Sequence, residues 1–333
     1  MSFGIKRGYD MKEADIRNER NTILEKYGML GVLLIIILIF GSLSESFLTV
    51  QNFSNIFISE SVVGCLALGG LFILVVDEFD LSLGYILCFC MVLGAFLSGK
   101  GFPGGVVVSV MIAAGAACGA LNGLIVTKLR INSFIATMSV GLSLAGITQA
   151  LSGGGILNTN IPQSMIHFAR GKVFYVGYSV IFLLMLCAII HFVLNHTEFG
   201  RHLYAVGTSG RTAIFAGIKA ERVRLTAFTV AGFFCGISSI VMLGQLGAAS
   251  SAYGTSLLLP AYSVVFLSKA SFHPGRLNVP GLVVGVALCA LGQNGIEIAG
   301  APVWGSYVFQ GVLLILSIWI SVLLTQKAGR KVK

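Results

Sequence analysis

The stretch Asp77-Glu-Phe-Asp-Leu-Ser-Leu-Gly84 holds three carboxylates within four positions, flanked on both sides by apolar runs. The simpler reading is a polar turn, with Asp80 and Ser82 capping the helix that follows. The sharper one is a broken helix beside a pathway, because irregular backbone survives in a membrane only where protein or water covers it. The two readings are compatible. Glu60 and Glu297 also fall at or inside apolar runs. An ionisable group there is costly and is a functional candidate by default. Gln293, Asn294 and Glu297 lie within about one helical turn of each other. We read them as pathway lining, with an interhelical hydrogen-bond site as the alternative.

Other chemistry is excluded. Gly94-Ala-Phe-Leu-Ser-Gly-Lys100 fits G-x-x-x-x-G-K, but Gly101 follows where a phosphate-binding loop needs Ser or Thr. No strand precedes it, so no ATP site is expected in this chain. The seven cysteines all sit in apolar runs without a C-x-x-C pair, as small buried residues do. His191 and His196 are badly spaced for one helix face, and no metal site is expected. No Ser-His-Asp or Cys-His arrangement stands out, which leaves an intramembrane enzyme without a catalytic set.

The elements that must position these residues follow from composition. Of 333 residues, 56% are hydrophobic and 11% charged. Soluble domains carry roughly 25% charged residues. Most of this chain must therefore face lipid or other helices. The alternating strands of an outer-membrane barrel are missing. Apolar runs near the ~20 residues of a spanning helix recur instead. They are Tyr27–Leu43, Ser54–Val76, Leu83–Ser98, Gly104–Val126, Ser133–Ser152, Phe174–Leu194, Leu225–Leu246, Leu257–Leu267, Val279–Ile298 and Trp304–Leu324. The expected fold is all-α: a polytopic membrane helical bundle of about ten transmembrane segments. Leu257–Leu267 is short, which points to a tilted, broken or re-entrant segment. Glycines at small-xxx-small spacing (Gly115, Gly119 and Gly123; Gly232 and Gly236; Gly281 and Gly285) suit close helix crossings.

Charge sets the orientation. With the N-terminus inside, nineteen of the 22 Lys and Arg residues fall on inside segments; only Lys100, Arg170 and Lys172 fall outside. Basic residues accumulate on the cytoplasmic side, so both termini are expected there. The net charge of +9 is then topology, and no nucleic-acid partner is implied. The division expected is a cytoplasmic arm at 1–26, a membrane domain at 27–324 and a basic tail at 325–333.

The longest polar interruption is Asn195–Arg224, with Arg201, Arg211, Lys219, Arg222 and Arg224 against Glu198 and Glu221. A simple connection needs only a few residues. Gly207, Gly210 and Gly217 read as breaks in it. Ser209 to Ile218 reads as a short helix capped by Ser209, presented for docking to a soluble partner. An amphipathic helix on anionic lipid is the alternative, weakened by the lack of a large aromatic face.

Several stretches resemble the membrane-spanning permease subunits of ribose-type monosaccharide ABC importers. Asp80-Leu-Ser-Leu-Gly84 is similar to I-D-L-S-V-G. Asn132-Ser-Phe134-Ile-Ala-Thr137-Met138 is similar to x-x-F-I-A-T-L. Gly200-Arg201-His-Leu-Tyr204-Ala-Val-Gly207, then Ala213 and Ala216-Gly217-Ile218, is similar to G-R-x-x-Y-A-x-G…A…S-G-I. Pro260-Ala-Tyr-Ser-Val-Val-Phe-Leu267 and Leu291-Gly-Gln-Asn-Gly295 resemble the family's late helices. The resemblance runs from about Tyr27 to Leu324. It implies two paired permease subunits, identical or different, two cytoplasmic ATPase subunits that bind ATP and Mg, and an extracytoplasmic solute-binding protein. The chain itself would hold no cofactor and would sit in the bacterial inner membrane. Gly200, Arg201, Tyr204, Gly207, Arg211, Ala213 and Gly217 would couple to the ATPase, and Arg211→Glu or Ala213→Glu would weaken that docking. Asp80, Ser82, Gly84, Phe134 and Thr137, with Gln293, Asn294 and Glu297, would belong to the pathway or its frame.

The pattern is not met everywhere. Glu78 stands where the family has Gly, Gly207-Thr-Ser-Gly-Arg-Thr-Ala213 replaces G-G-N-x-x-A-A, and Leu267-Ser-Lys-Ala-Ser-Phe-His-Pro-Gly-Arg276 replaces L-G-G-T-S-x-x-G-G-x-G. The competing function is a secondary transporter coupled to an ion gradient through Glu60, Asp80 or Glu297.

Overall fold

A computed structural model describes residues 26–330. The arm expected at 1–26 therefore lies outside the described residues but for Lys26, as do residues 331–333 of the tail. Among the described residues, eight helices are long and apolar enough to cross a membrane. They are α1 (Lys26–Leu43), α2 (Val50–Val75), α4 (Gly104–Lys128), α5 (Ser133–Ser152), α7 (Tyr178–His196), α10 (Ala220–Leu246), α12 (Val279–Ile298) and α13 (Val303–Arg330). Two shorter apolar helices, α3 (Leu83–Gly99) and α11 (Leu258–Leu267), complete the ten expected segments. The small helices α6 (Gln163–Arg170), α8 (Glu198–Thr208) and α9 (Gly210–Phe215) lie between them. The fold is an all-α polytopic membrane bundle.

Local chemistry sets the helix ends. Thr49, Asn132, Thr197, Ser209 and Asn278 each accept a first-turn backbone N–H with the side chain, which satisfies donors that the helix cannot. The sixth segment begins later than the sequence suggested. Phe174 lies in the turn of a two-stranded hairpin that pairs Lys172 with Gly177 and Val173 with Val176, and α7 starts at Tyr178. The last helix ends later, since α13 continues to Arg330.

Helices α2 and α10 form the centre; 78% and 83% of their apolar windows are buried, against 6% for α1 and 11% for α13. The glycine runs make this packing possible. Gly115 and Gly119 of α4 lie against the backbone of Gly232 and Phe228 in α10, with no space for a Cβ. Gly281 and Gly285 of α12 meet the carbonyls of Ser268 and Val264 in the same way. In lipid such close approach drives helix association.

The bundle has two distinct ends. One gathers the ion pairs Lys128–Glu221 and Arg224–Glu78, and joins Lys26 to Phe272. The other brings Lys172 to Asn55, Arg170 to Gln245 and Leu157 to Ala249. The short eighth segment dips inward. After α10 ends at Leu246, the chain reaches Gly254, whose N–H meets Cys88 of α3, before α11 begins.

Candidate functional site

Three places carry the polar side chains singled out by sequence. The first is the turn between α2 and α3. Its three carboxylates do separate work. Asp77 ends α2 in the left-handed conformation, φ 59°, which a short polar side chain tolerates. Glu78 pairs with Arg224 at 3.2 Å, so the residue that departs from the ribose-type pattern ties this turn to α10. Asp80 is buried and turned into the protein.

Four consecutive amides of this turn have no helical partner, and each finds a side chain. Phe79 N–H donates to Ser133 Oγ (3.4 Å), Asp80 N–H to Tyr262 Oη (2.9 Å), Leu81 N–H to Thr137 Oγ1 (3.0 Å) and Ser82 N–H to Asp80 Oδ1 (2.8 Å). Tyr262 Oη donates back to the Asp80 carbonyl at 2.8 Å. Asn122 of α4 donates to Ser82 Oγ at 2.7 Å and to Asp80 Oδ2 at 3.3 Å. Asn122 lies six residues before the end of α4 at Lys128, a depth of roughly 9 Å. At that depth an unsatisfied amide would cost several kcal/mol, on the order of the water-to-hydrocarbon transfer of a polar group. The turn is thus a helix break held by side chains of α4, α5 and α11. Ser82 occupies the cap position of α3, but its hydroxyl donates to Asp80 rather than capping the helix. Gly84 is the residue that fits here, because a Cβ would stand 2.8 Å from the Gly254 carbonyl. Phe134 points away from this network and is exposed.

The second place is a cavity of about 560 Å³ between α2, α10, α11, α12 and α13. Glu60, Gln293 and Glu297 face it together with Gln310 and Tyr307. Gln310 donates to Gln293 at 3.0 Å and Gln293 to Glu297 at 3.1 Å, which links α13 to α12. Asn294 turns elsewhere and accepts from Asn52 of α2 at 2.9 Å. The cavity reaches Gln245 and Leu246 at the end of α10 and Ala301 between α12 and α13, at the end of the bundle remote from the basic one. Glu60 stands ten residues into α2 from Val50, or about 15 Å along its axis.

The third place is the stretch 195–224. Of the three glycines that read as breaks, Gly217 alone has a positive φ, 81°, just after α9. Gly207 lies within α8, packed on the Val75 carbonyl; its lack of a side chain serves contact, not chain reversal. Gly200 packs on carbonyls at the end of α7, and Gly210 is the first residue of α9. Ser209 caps α9 as expected, accepting from Thr212 N–H at 3.3 Å. Tyr204 donates to the Leu277 carbonyl at 2.7 Å, and the Arg276 guanidinium lies 3.8 Å from its ring centroid. Burial pushes the Tyr204 hydroxyl up from its ordinary value, against the pull of Arg276, so it stays a donor. Arg201 and Arg211 are exposed. Ala213 is turned inward at 4% exposure, while its neighbours Ile214 and Phe215 are 60% and 90% exposed. Sequence reasoning did not single out Phe215. A signal for it existed: an Ile-Phe pair on a polar stretch beside a small residue that seats the helix.

A helical bundle with a braced helix break and a projecting polar hairpin of helices is the architecture of a membrane permease. Residues 52–318 match the family described as branched-chain amino acid transport system / permease component, and the chain belongs to that family. The chain is similar to the ribose import permease protein RbsC of Escherichia coli (strain K12), 27% identical over 291 residues, 86% of this chain and 91% of that one. The corresponding RbsC of Bacillus subtilis (strain 168) is 29% identical over 316 residues, covering 92% and 98%. The D-allose transport system permease protein AlsC of Escherichia coli (strain K12) is 29% identical over 306 residues, covering 91% and 93%. No solved structure matches. The chain is a ribose-type permease, the membrane-translocation subunit of an ABC importer, and a gradient-driven carrier is not favoured.

Proposed function

We propose that the chain moves a monosaccharide or a related small polar solute across the bacterial inner membrane, driven by ATP that a separate subunit binds with Mg and hydrolyses. The basic end of the bundle, with both termini, faces the cytoplasm. An extracytoplasmic solute-binding protein delivers the solute to the opposite end. Two permease subunits, identical or different, pair in the membrane. The chain itself performs no catalytic step. The similarity to ribose and allose permeases supports the substrate class.

The observation that carries this reading is the α8–α9 hairpin. It is fixed to the bundle by Tyr204 and Gly207, yet it presents Ile214 and Phe215 outward on the basic end. An apolar tip on a rigid base is what a soluble partner can grip, and a push on it reaches α2 through Val75. Arg201 and Arg211 are exposed on the same two helices. The test is isolation of the chain in mild detergent with its ATPase subunits. Arg211→Glu is expected to lower their recovery several-fold. Ala213→Glu is a poorer probe, because it buries a charge. Uptake in vesicles with ATP held constant is expected to resist an uncoupler; uptake that collapses would overturn the proposal.

A further inference from the structure

The cavity between α2 and α10–α13 is not explained by helix packing. Its walls contain Glu60, Glu297, Gln293, Gln310, Ser59 and Tyr307, and no Lys or Arg. Its volume of about 560 Å³ falls within the roughly 300–1,000 Å³ typical of small-molecule pockets. Among the described residues Glu297 accepts from Gln293, but Glu60 has neither a hydrogen-bond nor an ion-pair partner. A carboxylate at the middle of a spanning helix with nothing to hold is expensive, and such groups mark solute or ion paths. We propose that this cavity is a binding site within a single permease chain for a neutral polyhydroxylated solute of monosaccharide size, entered from the end remote from the α8–α9 hairpin. The site rests on the transport reading above and specifies where in the chain it acts.

The lining chemistry selects this class. Each solute hydroxyl both donates and accepts. Carboxylates accept, the carboxamides do both, and the Ser59 and Tyr307 hydroxyls adapt to either role. An anion would meet two carboxylates and no cation. A bare cation would use only the acceptors and leave the amide donors idle. An apolar side chain of branched shape would leave the polar wall unpaired, which is the strongest ground for rejection in a polar site. Glu60, unpartnered in this state, is free to accept from a solute hydroxyl without breaking an existing contact.

The test uses the permease–ATPase complex in nanodiscs without the solute-binding protein, with radiolabelled D-ribose, D-allose and L-arabinose as probes. One of these sugars is expected to bind, and Glu60→Gln is expected to weaken it at least tenfold. Glu45→Gln, on the exposed turn after α1, is expected to leave binding unchanged. Carbodiimide labelling of Glu60 is expected to fall when the sugar is bound. Equal binding by wild type and Glu60→Gln would overturn the site. So would absence of binding to the complex while the complete importer carries one of these sugars. If the complete importer carries none of the three, the sugar reading itself falls and the site with it.

Discussion

Two of the places where the bundle encloses polar groups differ in kind. In the turn at Asp80 the four backbone amides without helical partners each meet a side-chain oxygen, and among the polar atoms of the Asp80, Ser82, Asn122, Thr137 and Tyr262 side chains only Asn122 Oδ1 is left without a partner among the described residues. In the cavity at Glu60 the Gln310–Gln293–Glu297 chain lines one wall, and the Glu60 carboxylate has no hydrogen-bond or ion-pair partner among the described residues. The turn draws on three of the short stretches that resemble the ribose-type family; the cavity meets two of them only at single residues, Pro260 and Gln293. The lesson concerns what a shared stretch reports. Asp80-Leu-Ser-Leu-Gly84, Asn132–Met138 and Pro260–Leu267 lie far apart in sequence because one broken helix needs acceptors from three directions. They describe a frame. The proposed site for solute, by contrast, rests on polar groups gathered on the wall of a cavity.

This contrast can be broken by experiment. The largest effect is expected in the turn. Thr137→Ala orphans the Leu81 N–H, and Tyr262→Phe orphans both polar groups of Asp80. Each buried group left unpaired costs about 1–3 kcal/mol, so thermal unfolding in detergent should show a clear fall for each and a larger one for the pair. Wild-type melting in the double variant would show that the turn is not the frame. Next comes a residue outside both regions. Phe215→Ser is expected to weaken recovery of the ATPase subunits about tenfold, or about 1.4 kcal/mol, with the melting curve unchanged. Retained assembly would move the docking surface elsewhere. The smallest effect on stability is expected in the cavity. Glu60→Gln breaks no contact, so melting should shift by no more than the ~0.5 kcal/mol of a neutral substitution. A large loss would make Glu60 part of the frame and erase the distinction.

Much of the fold was legible because hydropathy is local. The ten apolar segments reappear as eight long helices and two short ones. The short eighth segment was expected from its length, and the glycine pairs from the small-xxx-small spacing. Phe174 was misplaced because its apolar side chain extends an apolar run, whereas its backbone, φ 54°, serves a hairpin turn. Gly207 was misread because a glycine in sequence does not say whether it bends the chain or admits a neighbour. The three carboxylates at Asp77, Glu78 and Asp80 read in sequence as one polar turn or broken helix, and the chain gives them three separate roles.

Composition and the charge count, by themselves, determined an all-α membrane bundle and its expected orientation, because transfer free energy adds residue by residue along a helix. They could not determine how each helix is rotated about its own axis. Rotation is set by contacts with helices remote in sequence. It decided that Asn294 turns to Asn52 while Gln293 and Glu297 turn to the cavity, and that Ala213 is buried while Phe215 projects. One residue along a helix is a rotation of about 100°, and that step separates a structural contact from a functional surface.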